Sequence, residues 1–441
     1  MNHLDKDILH LQLTGSFKGE MTVPGDKSIS HRSVMLASLA EGDTHIEGML
    51  EGEDNLSTIG AFEAMGVAFA RPEEGKLIVR GKGIDALSEP EDVINAGNSG
   101  TTTRLLMGIL SGLPMYAVIT GDRSLRKRPM RRIIDPLTDM GAVIRARYNN
   151  NNLPATIDGK NSKLKGITIK TPIPSAQLKS AIILAGLFAD GETVVEESMK
   201  SRDHTEVMLK HFGVPVEVDG NKVKVSRVNK LTGCSIEVPG DISSAAFFIV
   251  GALITEGSEL RINNVGLNPT RTGIIDVLLK MGGDIKIENT KEDGEMRGDI
   301  IVKHSTLKGV EVAGEDLLRS IDEFPALCIA AAFAEGTTVI SDAEELRVKE
   351  SDRISVMYEC LKSLGTKVEE KNDGLIIEGL GSDKQGLREG SSVDPQDDHR
   401  VAMAMSLASL HLEHGVKIKD SSCVDVSFPG FFETLKSVIK N

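Results

Sequence analysis

The stretch Val23-Pro24-Gly25-Asp26-Lys27-Ser28-Ile29-Ser30-His31-Arg32 decides how the rest of the chain is read. Pro24 and Gly25 interrupt whatever precedes them. The run from Ser30 to Ala40, rich in small apolar residues, predicts a helix. Lys27, Ser28 and Arg32 then sit at a loop-to-helix junction, where free backbone N–H groups favour an anion. Ser28 and Arg32 are four residues apart and share a helix face. Cations at this end oppose the helix dipole, which prefers acids there. A bound phosphate or carboxylate resolves that conflict, although a solvated turn with ordinary surface Lys and Arg accounts for this stretch alone equally well. The phrase Val238-Pro239-Gly240-Asp241 repeats Val23-Pro24-Gly25-Asp26, again before a small-residue apolar run, Ser243 to Thr255. The second copy lacks the Lys and the Arg. This reads as a duplication in which one copy kept a binding role and the other only its structure.

A longer repeat surrounds the phrase. Each unit has a small-residue helix, a Gly-containing turn, a strand, a second helix ending near Met-Gly or its equivalent, and another strand. Units begin at Ser30, Thr101, Ser175, Ser243, near Asp322, and at Asp398. Their second helices end at Met65-Gly66, Met140-Gly141, Phe212-Gly213, Met281-Gly282 and Leu364-Gly365, and the sixth unit is expected to be truncated. Units of about 70 residues exceed the usual solenoid period. The two Pro-Gly phrases divide the six into three plus three. The expected architecture is α/β, with two similar domains: residues 24–240, and residues 1–23 plus 241–441. The strand near Ile8 to Leu13 then packs with the C-terminal half, and Asn149 to Asn152 forms a loop.

Composition narrows the function. The 441 residues carry a net charge of −14, which argues against wholesale binding to nucleic acid or an anionic membrane. There is no Trp and there are only three Tyr, so platforms for stacking single-stranded bases are scarce. The longest apolar run, Ala245 to Ile254, is far too short to span a membrane, and the first thirteen residues lack the apolar core of a secretion signal. The four cysteines, Cys234, Cys328, Cys360 and Cys423, have no metal-site spacing and read as reduced thiols of a cytoplasmic protein.

The polar motifs fall mostly at helix starts. Asn98-Ser99-Gly100-Thr101-Thr102-Thr103-Arg104 opens the second unit, with small residues that let backbone approach a ligand. Arg128 stands out in the basic segment Arg123 to Arg132 because Pro129 holds it extended. Ser175-Ala176-Gln177-Leu178-Lys179 opens the third unit, where a plain N-cap explains Ser175 equally well. Ser201-Arg202-Asp203-His204 follows. Arg347 to Arg353 puts Lys349 and Arg353 on one helix face, with Glu345 placed to pair with Lys349. Asp394 and Asp397-Asp398-His399-Arg400 suggest a metal only weakly, since the spacing is unestablished and Arg400 stands among them. Nucleotide loops and dinucleotide glycine fingerprints are absent, as are GxSxG and HExxH. Cations gathered without such motifs suit small, multiply anionic substrates.

Taken together, Gly25 to Ser28 with Arg32, Asn98 to Thr101, Arg128-Pro129, Ser175 to Gln177, Ile321-Asp322-Glu323, Arg347 to Arg353 and Asp398 to Arg400 resemble the 3-phosphoshikimate 1-carboxyvinyltransferase (EPSP synthase) family, class II members in particular. The resemblance covers nearly the whole chain. It implies an enolpyruvyltransferase-like fold, three units per domain around a pseudo-threefold axis, with the active site in the interdomain cleft. It implies transfer of the enolpyruvyl group of phosphoenolpyruvate to the 5-hydroxyl of shikimate 3-phosphate, with release of phosphate, and a target for glyphosate. The same resemblance suggests that Lys27, Ser28, Arg32, Ser175, Ala176, Gln177, Ser201, Arg202, Asp322 and Lys349 hold shikimate 3-phosphate. Lys27, Asn98, Gly100, Arg128, Gln177, Arg353, His399 and Arg400 would hold phosphoenolpyruvate. Asp322, Glu350 and Lys27 would handle protons. No metal and no organic cofactor is implied, and a monomer without nucleic-acid or membrane partners is expected. Two positions depart from the family pattern: Ala176 replaces a Ser of many members, and Val426, before Ser427-Phe428-Pro429, replaces a Lys of some. The alternatives are the sister transferase acting on UDP-N-acetylglucosamine, which typically has a Cys in the loop corresponding to Gly121 to Arg132, and a non-catalytic polyanion-binding repeat protein.

Overall fold

The structure, a computed structural model, describes residues 8–171, 173–381 and 386–441. Each repeat is built around a leading helix: Lys27–Leu39, Gly100–Gly112, Ala176–Gly186, Ile242–Ile254, Phe324–Ala332 and His399–Ser406. A helix that is apolar or small on every side has to be enclosed. Every residue of Ile242–Ile254 and of Phe324–Ala332 is buried, as is Lys27–Leu39 from Ile29 onward.

Around each helix the chain lays down a small sheet in a recurring order. In the second repeat Ile94–Asn95 runs parallel to Tyr116–Thr120, with the Gly100–Gly112 helix as the crossover that a parallel pair requires. Tyr116–Thr120 pairs antiparallel with Asn152–Asp158, which pairs with Ile144–Ala146. Burial alternates along these strands, so one face of each sheet covers its helix.

The order closes on itself. The first repeat takes its parallel strand, Ser235–Glu237, from just before the second Pro-Gly phrase. The fourth takes Ser16–Thr22, from before the first phrase, beside Glu259–Gly266. Ile8–Leu11 pairs antiparallel with Val416–Lys419 in the sixth. Two compact units result. One comprises Gly25–Val238 with Asp293–Glu295; the other comprises Met1–Pro24, Pro239–Glu292 and Met296–Asn441. They are called here the N-terminal and C-terminal units. Each has its own buried apolar cluster. Among the described residues no helix is long and apolar enough to cross a membrane.

Two expectations need correction. The first leading helix begins at Lys27, not Ser30, because the Asp26 carboxylate accepts the Ile29 N–H at 2.8 Å and caps the chain one turn earlier. Lys27 and Ser28 therefore lie inside the first turn. The sixth repeat is not cut short of its second helix: Phe431–Val438 forms it, and Ile439–Lys440 pairs with Ser16–Thr22. Its pattern was hidden by the 3-10 segment Ser421–Val426. The glycines after the second helices, Gly66, Gly141, Gly213, Gly282 and Gly365, all have φ between 81° and 103°, the left-handed termination that the repeat pattern implies.

Gly25 is required for a different reason. A Cβ there would sit 1.9 Å from the Gly48 carbonyl oxygen. Gly60, on the exposed side of Glu53–Ala64, has nothing within 4 Å. Gly25→Ala should therefore destabilise the protein by roughly 1–3 kcal/mol or more. Gly60→Ala should stabilise it by about 0.5–1 kcal/mol. Denaturant unfolding of the two variants checks both signs.

Candidate active site

In the N-terminal unit most of the candidate side chains sit at or near the starts of the three leading helices. Lys27, in the first turn of Lys27–Leu39, pairs through Nζ with Asp54 Oδ2 at 2.6 Å, an acid supplied by the Glu53–Ala64 helix. Arg32, one turn on, is buried. Its Nε donates to Thr205 Oγ1 at 2.7 Å, its Nη2 to Ser180 Oγ at 2.8 Å and its Nη1 to the Ser28 carbonyl at 3.0 Å. Burial pulls its pKa down to about 10, against the pull of Glu206, Asp26 and Glu295 and with a further push from Arg202. The guanidinium stays charged at neutral pH, and all three of these hydrogen bonds go to neutral oxygens. That combination is a standing invitation to an anion.

A second group forms around Gly100. Ser99 caps the helix by accepting the Thr102 N–H at 3.1 Å. Arg128, extended before Pro129 with φ −70° and ψ 141°, donates through Nη2 to Asn98 Oδ1 at 2.5 Å. Gln177, from the Ala176–Gly186 helix, accepts from Arg104 Nη1 at 2.6 Å and donates to Thr101 Oγ1 at 3.0 Å. A Cβ on Gly100 would lie 2.9 Å from Arg104 Nη1 and 3.5 Å from Arg128 Nη1, so both guanidinium groups face this glycine. Asn98, Gly100, Arg128 and Gln177 are thus brought together. Ser175 caps the helix that carries Ala176 and Gln177. Ser201 is buried against Glu197, and Arg202 is half-buried beside it.

The remaining expected residues belong to the C-terminal unit. Arg353 is 1% exposed and is bound by Asp398: Nε to Oδ2 at 2.9 Å, Nη2 to Oδ1 at 3.3 Å. Its Nη2 also donates to Glu350 Oε2 at 2.8 Å. Nη1 makes no hydrogen bond among the described residues and lies 3.9 Å from Asp322 Oδ1. Burial opposes its charge, yet Asp398, Glu350 and Asp322 push its pKa above the ordinary arginine value. Arg400 donates to the Asp322 carbonyl at 3.2 Å, and its Nη2 is 3.7 Å from the Asp322 carboxylate. Burial pushes the Lys349 amine below its ordinary pKa, although Asp322, Glu345 and Glu350 draw it upward. Asp398 also caps His399–Ser406, where His399 is buried in the first turn. With its oxygens held by Arg353, Ser351 and two backbone N–H groups, Asp398 is a structural anion rather than a metal ligand.

A profile of the family described as EPSP synthase (3-phosphoshikimate 1-carboxyvinyltransferase) matches residues 11–435. The 3-phosphoshikimate 1-carboxyvinyltransferase of Citrifermentans bemidjiense is 51% identical over 427 residues, covering 96% of this chain and 97% of that one. The chain belongs to the EPSP synthase family. Its relative from Alkaliphilus metalliredigens, which carries the same name, is 50% identical over 96% of this chain and 98% of its own. The solved EPSP synthase of Acinetobacter baumannii matches with a TM-score of 0.87 and 47% identity across 98% of both chains. Membership in the EPSP synthase family decides among the three readings of the sequence in favour of the first.

Several residues that hold the site together were not singled out from the sequence. Arg104 follows Gly100 by four positions, as Arg32 follows Ser28, and superposing the repeats would have found it. Asp54, Ser180 and Thr205 carried no such signal, because each acts only through a residue distant in sequence.

His31 lies beneath this group, fully buried. Its Nδ1 meets Thr58 Oγ1 at 2.7 Å, in a hydroxyl chain that continues through Thr102 to Ser99. Nε2 has no hydrogen-bond partner among the described residues. Burial lowers its pKa from 6.5 to about 3, with Lys27 and Arg32 adding to the drop and Asp54 opposing it. Below pH 6.5 the unfolded chain binds a proton that the folded chain refuses until about pH 3. Stability is therefore full above that window and is lost as pH falls through it. The loss between pH 7.5 and pH 5 should be about 2 kcal/mol from this group. Unfolding measured at both pH values should show that share of the pH dependence disappear in His31→Gln.

Proposed function

We propose that this chain transfers the enolpyruvyl group of phosphoenolpyruvate to the 5-hydroxyl of shikimate 3-phosphate and releases inorganic phosphate, as a cytoplasmic monomer. The observation that carries the reading is 51% identity across 96% of the chain, joined to arginine and lysine side chains at the motif positions. In this reading Lys27, Ser28, Arg32, Ser175, Ala176, Gln177, Ser201, Arg202, Asp322 and Lys349 bind shikimate 3-phosphate. Lys27, Asn98, Gly100, Arg128, Gln177, Arg353, His399 and Arg400 bind phosphoenolpyruvate. Arg104, bonded to Gln177, joins the second set.

The chemistry accounts for these residue types. The 5-hydroxyl oxygen adds to C2 of phosphoenolpyruvate, loses its proton to a base, and C3 gains a proton. The tetrahedral intermediate then returns a proton from C3 while the C2–O bond to phosphate breaks. Asp322 holds the ring hydroxyls and handles one proton; Glu350 and Lys27 serve the other step. Two phosphates and a carboxylate need fixed cations that do not reorganise as charge moves, which suits guanidinium groups already pinned by their neighbours. Neither step calls for a metal or an organic cofactor. The four free cysteines fit a reducing compartment.

Lys27→Met should lower kcat by about a hundredfold or more while the circular dichroism spectrum is retained. Phosphate release from phosphoenolpyruvate should require shikimate 3-phosphate in the wild type; release without it would overturn the reading. Gly100→Ala places a methyl 2.9 Å from Arg104 Nη1. It should raise the KM for phosphoenolpyruvate, and raise the inhibition constant of the longer anion glyphosate further, by a factor worth ~1–3 kcal/mol. The ratio of the two constants in both proteins decides the point.

A further inference from the structure

Lys179 is fully buried in the N-terminal unit, where its ammonium is enclosed by two carboxylates and a backbone carbonyl. Nζ is 2.9 Å from Glu197 Oε2, 2.8 Å from Glu206 Oε1 and 3.1 Å from the Ser201 carbonyl oxygen. Glu197 in turn accepts the Ser201 N–H at 3.2 Å and the Ser201 hydroxyl at 2.5 Å. Every polar atom of Ser201 is thus held by two residues, Lys179 and Glu197. Beside Lys179 and Glu206 in the chain, Ser180 and Thr205 meet at 2.7 Å and receive Arg32. The same turn of Ala176–Gly186 therefore anchors Ser201 on one side and Arg32 on the other.

We infer that Lys179, Glu197 and Glu206 are positioning residues that fix Ser201 and Arg202, together with Arg32, for the phosphate of shikimate 3-phosphate. The inference rests on the proposed function, because that reading brings a phosphate to this segment. A buried cluster with one cation and two carboxylates is a costly way to secure a loop if only stability is at stake, since a well-packed apolar cluster does the same. What an apolar cluster cannot do is fix a hydroxyl, an N–H and a carbonyl at once. Burial pulls the Lys179 amine down, but Glu206 and Glu197 raise its pKa above the ordinary value. The Ser201 proton points at Glu197 in this state. Donation to a phosphate oxygen requires only rotation of the hydroxyl, because the Ser201 N–H and the Lys179 ammonium remain to hold Glu197.

The test compares shikimate 3-phosphate with shikimate, which lacks the phosphate, by calorimetric titration of the full chain. In Glu197→Gln the amide cannot accept from Lys179, the Ser201 N–H and the Ser201 hydroxyl together. The preference for the phosphorylated ligand should fall about tenfold, the scale of one charge-assisted contact. Lys179→Met should lower it at least as far, and if that variant does not fold, Glu197→Gln decides. A purely structural cluster would lower the melting temperature and weaken both ligands equally; an unchanged preference in folded Glu197→Gln overturns the inference. Ser201→Ala and Arg202→Ala separate the two levels. If they lower the preference and Glu197→Gln does not, the phosphate reading stands and the inference fails. If neither lowers it, the phosphate does not bind here and both fail.

Discussion

A helix enclosed on every side has no water along its length, so its terminal N–H groups must find partners at its own start. That constraint organises both units. Asp26, Ser99, Ser175, Asp241 and Asp398 each turn a side-chain oxygen back onto the first turn of a leading helix. None of the six leading helices carries an acid in that turn, whereas four of the second helices, Glu53–Ala64, His204–His211, Gly273–Lys280 and Phe431–Val438, do. The caps satisfy part of five of the six helix starts, three of them through an aspartate carboxylate. Lys27, Gly100, Gln177 and Arg400 occupy those starts. The placement of these side chains is therefore a consequence of how the core is built.

Two buried arginines show two ways in which this frame holds a cation. Arg32 donates to two hydroxyls and a backbone carbonyl. Neutral partners satisfy its geometry, and burial lowers its pKa although Glu206, Asp26 and Glu295 oppose the drop. Arg353 is bound by Asp398 and Glu350, and these carboxylates raise its pKa. It is already compensated, and among the described residues only its Nη1 is without a hydrogen bond. The same side chain thus rests on neutral oxygens in one setting and, in the other, serves chiefly as the clamp on a helix cap. In the second phrase, Arg271 takes the clamp role: it pairs with Asp241 at 3.0 Å and lies 3.6 Å from Glu323, beside Asp322. The copy of the phrase that lacks Lys and Arg thus still orders its own helix start.

The six repeats could be read from the sequence because each is punctuated by local chemistry. A glycine with positive φ after the second helix and an enclosed small-residue helix are properties of a few neighbouring residues. The sixth repeat was misread where the local signal weakened: a 3-10 stretch replaced the usual approach to its second helix, and Gly430, which starts that helix in a left-handed conformation, looked like an ordinary turn. Arg128 was legible because Pro129 restricts it directly. Lys27 was legible as a cation, but its partner Asp54 was not, since 27 residues separate them and no periodicity relates the two.

The sequence by itself determined the fold class, the repeat count and the residue types offered to a ligand, because helix enclosure, turn dihedrals and charge are set by composition over short spans. Only the tertiary structure decided which of those side chains are spent on one another. Ser201 shows the difference. As a sequence feature it is a hydroxyl before an arginine. In the fold its N–H, hydroxyl and carbonyl are all taken by Lys179 and Glu197, two residues brought beside it by an intervening strand and helix. Hydrogen-bond partnership depends on distances of a few tenths of an ångström between segments far apart in the chain, and no local pattern encodes those distances.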